Sequence, residues 1–143
     1  MRVLGALVCA GWLAAVAGCN ATTRQSFDET AALFHDDLRW GRMPAAELAV
    51  DAEMRAAFQA HHRTWGESVQ VIDVEVDSVR STTDHGSVRL RVSWVHAGDS
   101  TDVRQTVVEE TWESRLGAWK LRGERVVGGD PGVFGAAPTD RAG

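Results

Sequence analysis

The sequence predicts an α+β domain in which N-terminal helices pack on a curved antiparallel four-stranded sheet. Three observations carry that expectation. Ser26-Phe-Asp-Glu29 is a capping box, and Phe27, Ala31, Phe34 and Leu38 follow at spacings of four, three and four, one apolar stripe on a helix. From Val69 onward the apolar period changes to two, the pattern of half-buried strands. Turn clusters at Thr82–Gly86, Gly98–Ser100 and Arg115–Gly117 then divide the second half into four strands.

The elements follow in order. The first helix ends at Gly41, after Trp40. Pro44 restarts a helical phase that runs through Val50. Asp51 caps a further helix with Met54, Ala57, Phe58 and His61 on one face, closed by Trp65-Gly66. The first strand, about residues 69–80, turns Ile72, Val74 and Val76 to the core. The second, about 87–97, alternates Val88, Leu90, Val92, Trp94 and His96 against Arg89, Arg91, Ser93 and Val95. The third and fourth cover about 102–113 and 118–127. Pairing Trp112 with Trp119 puts Glu109 opposite Arg122 and Glu110 opposite Leu121. It gathers Glu109, Thr111, Lys120, Arg122 and Glu124 on a solvated face. Val108, Trp112, Trp119, Leu121 and Val127 take the apolar one. This register needs an odd-length turn at Gly98. Residues 128–143, rich in Gly and Pro, read as a flexible tail.

The first eighteen residues read as a secretory signal: Arg2, then an apolar run with no charge through Cys19. The run is shorter than the roughly 20 apolar residues of a membrane span. Val16-Ala-Gly-Cys19 resembles the lipobox of bacterial lipoproteins. That resemblance implies a diacylglyceryl group on the Cys19 sulfur, cleavage before Cys19 and acylation of its new amino group. Two or three acyl chains, at about 0.8 kcal/mol per buried CH₂, anchor a protein firmly. Asn20 implies sorting to the outer membrane, facing the periplasm. An ordinary leader cut at Ala17 or Gly18 is the alternative, and it leaves Cys19 as an unpaired thiol. Residues 19–25 then form a tether and 26–127 the domain. The other cysteine, Cys9, lies in the leader, so no disulfide is expected.

With Arg2 removed, the formal net charge goes from −5 to −6. The basic residues are scattered, which excludes the concentrated positive footprint that nucleic acid requires. No phosphate loop, nucleophile elbow or zinc-ligand spacing occurs, and no cofactor is expected.

Leu38-Arg-Trp-Gly-Arg42, Met54-Arg-Ala-Ala-Phe58 and the hairpin Glu110-Thr-Trp-Glu-Ser-Arg-Leu-Gly-Ala-Trp-Lys-Leu121 resemble segments of the nuclear transport factor 2-like (cystatin-like) fold. The resemblance covers about residues 26–127. It implies a cone whose wide end holds a pocket. Members include ketosteroid isomerase and scytalone dehydratase, and many are binding or assembly modules.

In such a cone the polar residues on the apolar face are the informative ones. The register above places His96, Arg104, Glu110 and Arg125 there. A carboxylate in an apolar cavity can serve as a general base, so Glu110 and then His96 are the catalytic candidates. Val92, Trp94, Val108, Trp112, Trp119, Arg104 and Arg125 are the pocket candidates. His35-Asp36-Asp37 point about 100° apart on a helix, so they cannot converge on a metal, and the two carboxylates, followed by Arg39, read as a solvated face. His61-His62 sit at a helix C-terminus, where positive charge is favoured. The expected function is a non-catalytic, membrane-anchored module of the cell envelope, held by the lipid on Cys19, that binds an envelope protein or a small apolar ligand. An isomerase or dehydratase using Glu110 or His96 is the alternative. A homodimer through the sheet face carrying Arg89, Arg91, Val95 and Val107 stays open.

Overall fold

A computed structural model of the chain describes residues 26–135. The signal segment, Cys19 and its tether, and positions 136–143 lie outside the described residues. At Ser26 the capping box closes: its hydroxyl accepts from the Glu29 amide, and the Glu29 carboxylate accepts from the Ser26 amide, both at 3.2 Å. Helix α1 (Phe27–Arg39) follows and buries the stripe Phe27, Ala31, Phe34 and Leu38. Gly41, at φ +67°, ends it. Helix α2 (Met43–Ala46) carries Pro44 in its first turn and tightens into a 3-10 turn at Glu47–Ala49. Asp51 caps a second 3-10 turn, Ala52–Met54, which leads into α3 (Arg55–His62).

Four antiparallel strands form one sheet in sequence order: β1 (Val69–Ser81), β2 (His85–His96), β3 (Asp99–Arg115) and β4 (Ala118–Gly129). Val88, Leu90, Val92 and Trp94 of β2, Val108 and Trp112 of β3, and Leu121 of β4 meet the helical stripe in one core. Four aromatic side chains lock its centre: Phe34 stands edge-on to Trp112 at 5.1 Å, and Phe27 contacts Trp112 at 5.9 Å and Trp119 at 4.7 Å. Val50 and Asp51 run along the free edge of β4, where the Asp51 amide donates to the Leu121 carbonyl at 3.0 Å.

The register differs from the expected one, and β-bulges are the reason. Trp112 pairs with Leu121, and Trp119 pairs with Ser114. Arg122 and Val127 are then extra residues on β4, so Glu110 faces Glu124 and Glu109 faces Arg125. Each bulge shifts the alternation by one. Glu124 therefore moves from the solvated face to the core side, Arg125 moves the other way, and Val126 rather than Val127 packs inward. On β1 the extra residues are Ile72 and Asp77. Val71 and Val74 pack against the core, while Ile72 and Val76 are exposed. The turn after β2 is the two-residue Ala97-Gly98, not an odd one. Parity is restored by an irregularity between Trp94 and His96, and Leu90 still lies on the Trp112 side.

Residues 128–134, expected to begin a flexible tail, are ordered. Gly128-Gly129 complete β4, and Pro131–Phe134 form a 3-10 turn capped by Asp130. Val133 is buried, and its carbonyl accepts from Trp65 Nε1 at 2.7 Å. A Cβ on Gly129, which has φ +72°, would lie 2.3 Å from the Gln105 carbonyl oxygen, so the strand exit there requires glycine.

Candidate functional site

Two glutamates and three histidines sit where the helices meet the sheet. Glu110 lies on β3 beside Trp112, whose inward alternation carries it under α1. Its Oε2 accepts from His35 Nε2 at 2.8 Å and from Trp112 Nε1 at 3.0 Å. Glu110 is fully buried and His35 nearly so. Glu124, its cross-strand partner, is reached from α3: His62 Nε2 lies 2.9 and 3.1 Å from its two oxygens, and His61 Nδ1 lies 3.3 Å from Oε2. One histidine–carboxylate pair thus ties α1 to β3, and a second ties α3 to β4. Burial pushes the Glu124 carboxyl up, but His62 and His61 outweigh it and hold the group below the ordinary glutamate value. Among the described residues, Glu110 Oε1 and His62 Nδ1 are buried without a hydrogen-bond partner.

Sequence reasoning found Glu110 but not its partner. His35 is four residues from Ala31 and three from Leu38, so the helical stripe already placed it at the core margin. Phe58 and His62 have the same spacing of four, and His62, not His61, is the buried member. Glu124 had no such signal, because the Arg122 bulge turns it inward.

The other candidates separate. Trp94 is fully buried and donates from Nε1 to Thr106 Oγ1 at 2.9 Å. His96 is exposed, edge-on to the Trp94 ring at 5.0 Å. Arg104 sits at the rim of the apolar face, 5.8 Å from the centre of the same ring, and is paired with Asp130 at 2.6 Å and Asp102 at 2.7 Å. Arg125, expected in the pocket, is on the outer face and bonds Glu109 at 2.6 Å. Glu110 and His96 are not brought together. Asp36 and Asp37 both bond Arg42, as a solvated face does.

Val92, Trp94, Val108 and Glu110 line none of three cavities near the surface. One, of about 70 Å³, lies beside His61 and Glu124. A second, of about 380 Å³, lies by the ends of β1 and β2, among Arg80, His85, Ser87 and Arg122 and over Trp112. The third, of about 400 Å³, is a cleft between α1, the 45–49 turn and the β3–β4 hairpin, walled by Leu33, Phe34, Leu48, Ala49 and Trp119. Asp37 and Lys120 stand beside it, and Lys120 Nζ donates to the Leu48 carbonyl at 2.6 Å. Among the described residues, no three His, Cys, Asp or Glu side chains group closely enough to hold a metal.

Two solved structures share this arrangement. A SEC-C motif containing protein from Rhodopseudomonas palustris, solved in solution, superposes with TM-score 0.59 at 14% identity, over 72% of this chain and 80% of that one. A crystallised protein of unknown function with a cystatin-like fold, from Nostoc punctiforme, superposes with TM-score 0.51 at 16% identity, over 78% of this chain and 94% of that one. The chain has a cystatin-like fold. At these identities the likeness concerns the fold alone. No family model and no curated protein matches the chain. Within this cystatin-like domain the interior is occupied by its own aromatic side chains, and the apolar cleft lies outside it.

Proposed function

We propose that the protein is a non-catalytic interaction module of the bacterial cell envelope, tethered by lipid on Cys19, that works through its surface. One observation carries the reading: the interior is filled. Trp94, Trp112, Phe34 and Leu38 are fully packed, and the buried carboxylate that could have been a general base is bonded by His35 and Trp112. A general base must lie within hydrogen-bond reach of a substrate proton, and Glu110 lines none of the three cavities. Two exposed apolar side chains, Leu33 and Leu48, instead flank the cleft, which is how contact sites present themselves.

The lipid tether suits this role, because confinement to a surface raises local concentration for association. The Val16–Cys19 pattern motivates it. Two experiments test the two parts. Cys19→Ser should leave an unprocessed or soluble form, and unchanged processing with unchanged membrane fractionation would remove the anchor. A photo-crosslinking residue at Leu48, in intact envelopes, should form adducts with an envelope component, protein or lipid. Adduct-free chains at Leu48 and Leu33 alike would remove the surface reading. Glu110→Gln should leave those adducts unchanged.

A further inference from the structure

We infer that the apolar cleft and the hairpin tip beside it are the face by which the domain rests on the lipid bilayer. The inference relies on the proposed lipid at Cys19 and names the envelope component that the cleft contacts. Three observations converge on this one side of the molecule.

The first is where the chain enters. Phe27, the first residue of α1, packs on Trp119 at 4.7 Å, and Trp119 is a wall of the cleft. Leu33 lies two helical turns from Ser26, about 10 Å along the axis. Only residues 20–25 separate Cys19 from Ser26, and six residues span at most about 20 Å fully extended. A bilayer holding the Cys19 acyl chains is therefore within one tether length of this side.

The second is what that side exposes. Leu33 and Leu48 flank the cleft with much of their surface in water, and Gly117 and Ala118, which line it, continue directly from Leu116.

The third is a local violation at Leu116. The β3–β4 turn has positive φ at both central residues, +52° at Leu116 and +82° at Gly117. Such turns favour Asn or Gly at the first position. A leucine there is strained, and it is wholly exposed, at 108% of its reference area. It gains nothing from the fold that would offset the strain. Outliers of this kind point to function, and a leucine at a hairpin tip is suited to insertion among acyl chains.

The side carries no excess of positive charge. Lys120 and Asp37 are the charged residues of the cleft lining, Arg115 beside Leu116 is paired with Glu113 and Asp51, and Asp28 and Glu29 open α1. Contact therefore rests on apolar insertion, and added salt should not weaken it.

The test uses the full mature chain purified from envelopes. Leu48→Cys, Leu116→Cys and, as control on the outer sheet face, Arg89→Cys each receive a thiol-reactive, polarity-sensitive dye. Each is then reconstituted into vesicles of three parts phosphatidylethanolamine to one part phosphatidylglycerol. Dye at positions 48 and 116 should emit blue-shifted and be quenched by bromine-bearing lipid, at low and high salt alike. Dye at position 89 should do neither. Water-like emission at 48 and 116, with one dye bound per chain, would overturn the docking face while leaving the anchor standing. Two dyes per chain would show that the Cys19 sulfur is free, and both the anchor and this inference would fall.

Discussion

Glu110 shows what a single buried residue can settle. Both of its hydrogen bonds end on Oε2, leaving Oε1 without a partner. A glutamine with its carbonyl at the Oε2 position keeps both bonds and exchanges one unpaired atom for another. We expect Glu110→Gln to cost about 1–3 kcal/mol of stability. Glu110→Ala strands His35 and Trp112 in the core and should cost about 3–5 kcal/mol. Denaturant unfolding of the two variants checks the order, and equal losses would contradict the bonding described here. Glu124 gives the pH dependence. Its carboxyl is held below the ordinary glutamate value when folded. The unfolded chain therefore binds the proton more readily, and stability falls as pH drops through the folded pKa, below about 4.3. Unfolding midpoints measured from pH 7 down to pH 3 should fall in that acid window, and Glu124→Gln should flatten the fall. Gly86 makes a steric prediction. A Cβ there would lie 2.5 Å from the Phe27 ring, so Gly86→Ala should cost about 1–3 kcal/mol, read as a lowered melting midpoint.

At the level of the elements, strand alternation and helical stripes made much of this domain legible, and the bulges hid the rest. The capping box at Ser26, the stripe Phe27–Ala31–Phe34–Leu38, and the inward face Val88–Leu90–Val92–Trp94 all follow from spacing, because each rests on one uninterrupted period. Strand β4 does not. The extra residue Arg122 moves the alternation by one, so Glu124 and Arg125 change sides, and the extra Val127 moves it back. The site was half legible for the same reason. Glu110 lies on the regular part of β3, whereas its neighbour Glu124 lies beyond a bulge flanked by Gly123. His35 was hidden differently: the run His35-Asp36-Asp37 looks like one polar face, although the first of the three also lies on the apolar stripe. The β3–β4 hairpin carries its own prediction. Leu116→Asn places a residue that tolerates positive φ at a position where leucine does not, and should stabilise the isolated domain fold by about 1 kcal/mol. An unchanged or lowered unfolding midpoint would show that the leucine is not strained there.

Across the whole molecule, large side chains fill the core between the helices and the sheet. Phe34, Trp94 and Trp112 are fully buried there, and two histidine–carboxylate pairs fasten the helical layer over them. On the proposed reading contact falls to the outside, where the cleft and the strained leucine share one side. Hydrogen exchange measured on the mature chain in native envelope membranes, against the same chain carrying Cys19→Ser in solution, tests this most directly. Slower exchange should be confined to residues 30–37, 45–49 and 115–120, with β2 unchanged. Equal exchange in those three segments, or protection centred on the core strands around Trp94, would contradict a filled cone that works through its membrane-facing surface.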